Sequence, residues 1–204
     1  MSEKLSPRER LARGLQFDIP YFDQALPTTG KPASVLALFG FSLGNARTDL
    51  REASLLLTRR TDRVETHKGQ IALPGGHQDP EDTDEFATAL RETQEEVGIP
   101  SDLIDVIGKL PVLWTRTGFL VTPVVAVLQT PIEETALSVS TEEIDEVFWA
   151  PVSELQSPEV YRTELFETAG LRFTTHVYQL GPHRVWGATG SIVKNILDRL
   201  SALA

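Results

Sequence analysis

Leu73-Pro74-Gly75-Gly76, followed fifteen positions after Gly76 by Arg91-Glu92-Thr93-Gln94-Glu95-Glu96-Val97-Gly98-Ile99, carries the reading of this chain. The first part has the form of a strand end and tight glycine turn that brings backbone close to the second part. The second part reads as a helix: Ala87, Ala89, Leu90 and Val97 supply apolar positions, and Gly98 is a natural stop. Glu92, Glu95 and Glu96 stand at i, i+3 and i+4, so three carboxylates emerge on one face of one helical turn. Like charges that close repel, and each is driven toward protonation. An acidic helix patch is ordinarily a solvated face. Here a glycine-rich turn precedes it, and Arg91 stands beside it to orient a carboxylate. The cluster therefore reads as a site for a hard divalent cation, Mg²⁺ or Mn²⁺, which takes oxygen ligands.

The order glycine, spacer, Arg-Glu-x-x-Glu-Glu-x-Gly-aliphatic over residues 75–99 resembles the Nudix box, the signature of hydrolases acting on nucleoside diphosphates linked to another group. Two departures stand out. The spacer is one residue longer than the family's, and His77-Gln78-Asp79-Pro80-Glu81-Asp82-Thr83 puts no glutamate at the midway position, leaving Asp79 or Asp82 to replace it. Thr93 also stands where an aliphatic residue is usual. A second stretch narrows the resemblance. Leu56-Leu57-Thr58-Arg59-Arg60, then Val64, His67, Gly69-Gln70 and the apolar run to Pro74, is similar to the companion motif of coenzyme A diphosphatases.

The resemblance covers residues 56–99 and implies an α+β fold, an α/β/α sandwich around a mixed β-sheet. It implies metal ligation by Glu92 and Glu96, with Glu95 as a further ligand or base and the Gly76 carbonyl as an additional ligand. Arg91 would hold the glutamates, and Glu143, in the acidic loop 131–145, matches a recurrent glutamate that would add a metal ligand or supply the catalytic base. Arg60, His67, Gln70 and Gly75 are the expected substrate contacts. The implied reaction is metal-dependent hydrolysis of coenzyme A and its thioesters to adenosine 3′,5′-bisphosphate and 4′-phosphopantetheine or its acyl form. An ADP-ribose or dinucleotide diphosphatase is the alternative within the same chemistry, and a non-cleaving nucleotide sensor the alternative from another class. The intact set Arg91, Glu92, Glu95 and Glu96 argues against the sensor.

Composition agrees with a compact enzyme. The 204 residues, 41% hydrophobic, suffice for one domain with a sizeable core. We expect a domain over residues 31–204 preceded by an N-terminal extension, 1–30, with a short helix. Cysteine is absent, which excludes disulfides and thiolate metal sites. No apolar run reaches membrane-spanning length, and Met1-Ser2-Glu3-Lys4 leads into charged residues, so a cytoplasmic protein away from membranes is expected. A formal net charge of -10 disfavours nucleic acid as a partner and points to a small-molecule substrate, leaving monomer or homodimer open. The four histidines form no metal pattern, and no Ser-His-Asp order or Walker loop is present.

Patterning predicts a helix over 6–15, strands over 35–39, 53–57, 69–73, 104–112, 119–128 and 146–149, and a box helix over 84–97. A short helix is expected to open at Pro151, then an irregular stretch, then a strand over 173–180. Ile192, Val193, Ile196, Leu197 and Leu200 recur at helical spacing and close the chain with an amphipathic helix. Trp186 is expected to pack in the core, and Thr189 to supply a helix-start hydroxyl. The element order places the box helix on one face of the sheet and the last helix on the other.

Overall fold

The computed structural model describes residues 5–19, 29–45, 47, 49–63, 68–168 and 171–203. A short helix, α1 (Pro7–Gly14), precedes β1 (Lys31–Phe41), β2 (Ala53–Arg60), β3 (Ile71–Ala72), β4 (Gly75–His77) and the box helix α2 (Glu85–Val97). Then come β5 (Ile104–Lys109), β6 (Leu113–Trp114), β7 (Phe119–Leu128), β8 (Ile144–Pro151) and α3 (Val152–Leu155). The chain closes with β9 (Tyr161–Thr168), β10 (Leu171–Leu180), β11 (His183–Val185) and α4 (Gly187–Ser201). β1 runs parallel to β7, and the other pairings in the main sheet are antiparallel. The fold is therefore α+β with a mixed sheet between helices.

Alternation along the central strands assigns the two faces. Leu36 and Leu38 of β1, Leu56 of β2 and Val124, Ala126 and Leu128 of β7 point to one side, where Ala89 and Val97 of α2 cover them. Ala37, Phe39, Leu55, Leu57 and Val125 point to the other, where α1 contributes Leu11 and α4 contributes Ile192, Val193, Ile196, Leu197 and Leu200. Each such leucine or isoleucine, removed from water, contributes about 2 kcal/mol of transfer free energy. The predicted helical stripe of α4 is buried at every one of its five positions.

A split in the sheet positions the glycine turn. β1 and β2 pair only over Phe39–Phe41 and Ala53–Leu55. Where they separate, β3 stays with β2 and β4 crosses to β1, the Leu36 N–H donating to the Pro74 carbonyl at 2.8 Å. Gly75 and Gly76, expected as a tight turn, are thus strand residues wedged into the sheet. Gly75 has φ +150°, and a Cβ there would lie 2.3 Å from the Ser34 carbonyl oxygen. Only glycine allows this approach.

The chain after α3 departs from the pattern reading. The stretch expected to be irregular contains β9, which pairs with β10 from Tyr161/Tyr178 to Thr168/Leu171 and, with β11, makes a separate three-stranded sheet. Arg162, Glu164 and Glu167 obscure its strand pattern because β9 is a solvent-facing edge. Trp186 is half-buried rather than in the core and stacks on Phe166 with ring centroids 4.8 Å apart. Nor does Thr189 start the last helix. Gly187 has φ +64°, and its N–H donates to Thr175 Oγ1 on β10 at 3.3 Å, so a hydroxyl from another element serves that helix end.

α1 begins with a capping box, Ser6 with Glu9, and packs against α4. Arg199 of α4, 3% exposed, gathers carbonyls at and beyond the end of α1: its guanidinium donates to Gly14, Leu15, Phe17 and Ile19 and to Asn195 Oδ1. Replacing it by methionine removes all of these bonds at once, while the Ile19 carbonyl keeps only Asn195 Nδ2 and the Gly14 carbonyl only the Phe17 N–H. Arg199→Met is expected to destabilise the protein by about 3 kcal/mol, read as a lower urea midpoint with unchanged kcat.

Candidate active site

α2 is built to hold carboxylates in fixed places. Asp84 caps it by accepting the Ala87 N–H at 2.8 Å, and Gly98 ends it in the left-handed region at φ +77°. Thr93, the residue expected to be aliphatic, is fully buried and donates its hydroxyl to the Ala89 carbonyl at 2.7 Å. That bond satisfies the polar group inside the interface with the sheet.

The three glutamates of the turn part company. Glu96, 4% exposed, points under the glycine strand, where one carboxylate oxygen accepts the Gly75 N–H at 3.1 Å and the other lies 3.5 Å from an Arg60 guanidinium nitrogen. Burial pushes its carboxyl up to about 8, with Glu92 and Glu143 adding repulsion against the Gly75 bond and Arg60. The Glu92 carboxylate lies against Gly76, where a Cβ would come within 2.6 Å of both its oxygens. Burial raises its pKa too; Arg91 opposes, while Glu95 and Glu143 reinforce the shift. Glu95 is more than half exposed and is held by Arg91 at 3.0 Å.

Arg91 is the hub of this arrangement. It donates from Nε and one terminal nitrogen to the two oxygens of Asp82 at 3.0 and 2.9 Å, and to the His77 carbonyl at 2.9 Å. Its other terminal nitrogen meets Glu92 at 3.1 Å and Glu95 at 3.0 Å. Asp82 also accepts the Asp79 N–H and the Thr88 hydroxyl, and the Arg91 guanidinium holds its carboxyl well below the usual carboxylate range. Of the two aspartates left open by the spacer, Asp82 is therefore the one turned inward, and it faces Arg91. Asp79 is 60% exposed and 3.9 Å from Arg91.

The donors suit a divalent cation. Two carboxylates, Glu92 and Glu96, are withdrawn from water with charges that their neighbours leave undercompensated, and hard oxygen donors are what Mg²⁺ and Mn²⁺ take. Among the described residues no three acidic or imidazole groups already converge on one point. Arg91 explains this, since it draws Glu95 and one oxygen of Glu92 to itself.

Of the expected substrate contacts, Arg60 reaches the carboxylates, and its buried Nε has no hydrogen-bond partner. Gln70 lies beside it through the Arg60 N–H to Gln70 carbonyl bond at 3.0 Å, and Gly75 donates to Glu96. His67 lies outside the described residues. Glu143, on the exposed loop before β8, is close enough to raise both Glu92 and Glu96. Pattern reading missed Asp82 as the partner of Arg91 and Thr61 as a contact of the Glu143 loop, because neither sits at a periodic position relative to α2.

A Nudix-domain family model matches residues 43–169, more than half of the sequence. The chain belongs to the Nudix family. It is a hydrolase of the diphosphatase type, from a family that acts on nucleoside diphosphate derivatives and generally uses divalent metal ions. Similar proteins include the "Uncharacterized Nudix hydrolase NudL" of Photorhabdus laumondii, 36% identical over 147 residues, 72% of this chain and 77% of the relative. The protein of the same name from Yersinia pestis is 35% identical over 150 residues, 74% of each. Among solved structures, the Nudix hydrolase RenU from M. smegmatis aligns over 90% of this chain and 94% of its own, with a TM-score of 0.56 at 19% identity. A MutT/nudix family protein from Enterococcus faecalis aligns over 98% and 76%, with a TM-score of 0.51 at 17% identity. These two support the Nudix fold. Among the described residues no helix is long and apolar enough to cross a membrane.

Proposed function

We propose that this Nudix hydrolase splits the diphosphate of coenzyme A and its thioesters, releasing adenosine 3′,5′-bisphosphate and 4′-phosphopantetheine or its acyl form. One observation supports the reading: Arg60, at the end of β2, lies 3.5 Å from Glu96 of the Nudix box, and its Nε has no partner. A half-buried guanidinium with donors to spare suits a phosphate oxygen. Its sequence context is the one that resembles the coenzyme A motif.

Glu92 and Glu96 would hold Mg²⁺ or Mn²⁺, with Glu95 and the Gly76 carbonyl as further donors. Such an ion, when bound, neutralises diphosphate oxygens and acidifies water. The chain supplies the rest. Arg60 donates to a phosphate oxygen and orients the phosphorus. Glu143 takes a proton from the attacking water, whose oxygen bonds to phosphorus as the bridging P–O bond breaks and its electron pair leaves with the other phosphate. Glu95 is less suited to that task because Arg91 engages it. Arg91 keeps Glu92 in place without touching the substrate.

Purified protein with Mn²⁺ and coenzyme A, ADP-ribose, NADH and diadenosine polyphosphates, with products separated by chromatography, tests the reading. Preferred cleavage of coenzyme A supports it. Preference for ADP-ribose overturns the substrate while keeping the chemistry, and binding without cleavage of any compound indicates a sensor. Arg60→Ala is expected to lower kcat/KM by roughly thirtyfold, the value of a charged hydrogen bond of about 2 kcal/mol, mainly through KM.

A further inference from the structure

We infer that Thr61 is a positioning residue for the reaction, fixing Glu143 over the carboxylate turn through two bonds to the loop backbone; the inference rests on the catalytic reading of Glu143 given above. Glu143 poses a physical problem. It lies on an exposed acidic loop, yet stands near Glu92 and Glu96, which repel it. Without restraint such a side chain drifts toward solvent.

The loop is tied at two sides. Toward α2, the Ser138 N–H donates to the Val97 carbonyl and the Ser140 N–H to the Glu96 carbonyl, each at 3.0 Å. These bonds use carbonyls that the helix end leaves open. They hold the loop's approach but stop three residues short of Glu143. The Glu143 N–H turns back to the Ser140 carbonyl at 3.1 Å. Toward β2, Thr61 completes the clamp. Its N–H donates to the Glu143 carbonyl at 2.8 Å, and its hydroxyl donates to the Glu142 carbonyl at 3.1 Å while accepting the Arg63 N–H at 3.2 Å. Thr61 is 1% exposed, so water cannot readily replace its hydroxyl.

The local ladder explains why this residue holds that place. The β2–β8 register shifts between Arg59, paired with Glu146, and Arg60, paired with Ile144, so the loop side carries an extra residue, Asp145. The bulge sits where β8 begins. Arg60 then turns its guanidinium toward Glu96, and the next residue turns its hydroxyl to the Glu142 carbonyl. The last residue of β2 and the one after it thus serve the phosphate side and the base side of the same site.

Thr61→Val keeps the shape and removes the hydroxyl; Thr61→Ser restores it. With the best substrate of the panel in Mn²⁺, Thr61→Val is expected to lower kcat about tenfold, the equivalent of one buried hydrogen bond, with KM little changed, and Thr61→Ser to recover most of the loss. In a Glu143→Gln background, Thr61→Val is expected to add nothing. Hydrogen–deuterium exchange of the 138–144 amides should rise in Thr61→Val. If Glu143→Gln is impaired while Thr61→Val matches wild type, or if the two effects multiply, the role of Thr61 is overturned and that of Glu143 stands. If Glu143→Gln itself turns over normally, the reading of Glu143 fails and this inference with it. Unchanged exchange across the loop also overturns it, independently of any activity.

Discussion

Glu96→Gln is expected to lower kcat by roughly a thousandfold while leaving the fold intact. Glutamine keeps the acceptor for the Gly75 N–H but loses the charge that a cation and a diphosphate site require. The same substitution has an opposite signature in stability. Burial raises the Glu96 carboxyl from 4.5 to about 8, so the folded, metal-free protein keeps a proton there that the unfolded chain has released. Its stability therefore declines as pH rises through that window and levels off above it. Glutamine resembles the protonated acid, so the decline should be much shallower in the variant, with a residual slope from Glu92, whose pKa is raised in the same direction. Thermal melts in chelator between pH 5 and 9 check this: the variant should match wild type at the acid end and melt higher at the alkaline end. Adding Mn²⁺ should raise the wild-type Tm and not that of Glu96→Gln. A variant that turns over like wild type in metal contradicts the assignment of Glu96.

Arg91→Met is expected to affect both stability and rate. The guanidinium is the main partner of the Asp82 side chain, which is 6% exposed, and it also restrains Glu92 and Glu95. Its loss leaves Asp82 charged and nearly closed off from water, with only the Asp79 N–H and the Thr88 hydroxyl as donors. We expect a loss of about 2 kcal/mol near pH 7, less than for a deeply buried pair because the site lies near the surface. Since Arg91 lowers the Asp82 pKa below its unfolded 3.8, the stability it contributes is present above that pH and is lost as pH falls through the folded value. Urea midpoints of wild type and variant should therefore converge in acid and separate near neutrality. The rate should fall about a hundredfold, because Glu92 is no longer held within a fraction of an ångström of its place. Midpoints that stay equal at pH 7 contradict the role of Arg91 as hub.

Much of this was legible in the chain because it rests on local rules. The stripe of α4 and the alternation on β1 and β7 follow from periods of 3.6 and 2, which need no partner to be read. The stop at Gly98 follows from its freedom at positive φ. β9 was hidden because its charged edge face contradicts the strand pattern, and only its pairing with β10 makes it a strand. The hydroxyl at the start of α4 is hidden for a similar reason: it comes not from Thr189 but from Thr175, on β10.

At the carboxylate turn the division is sharpest. By itself the sequence determined that Glu92, Glu95 and Glu96 share one turn beside two glycines and so offer oxygen donors on one face, because side-chain spacing on a helix is a local property. Only the tertiary structure decided which of the three are withdrawn from water. Glu96 goes under the wedge of β4 and Glu92 against Gly76, while Arg91, committed to Asp82, keeps Glu95 outside. The reason is desolvation, which depends on what the sheet and the spacer bring over the helix and not on the spacing along it.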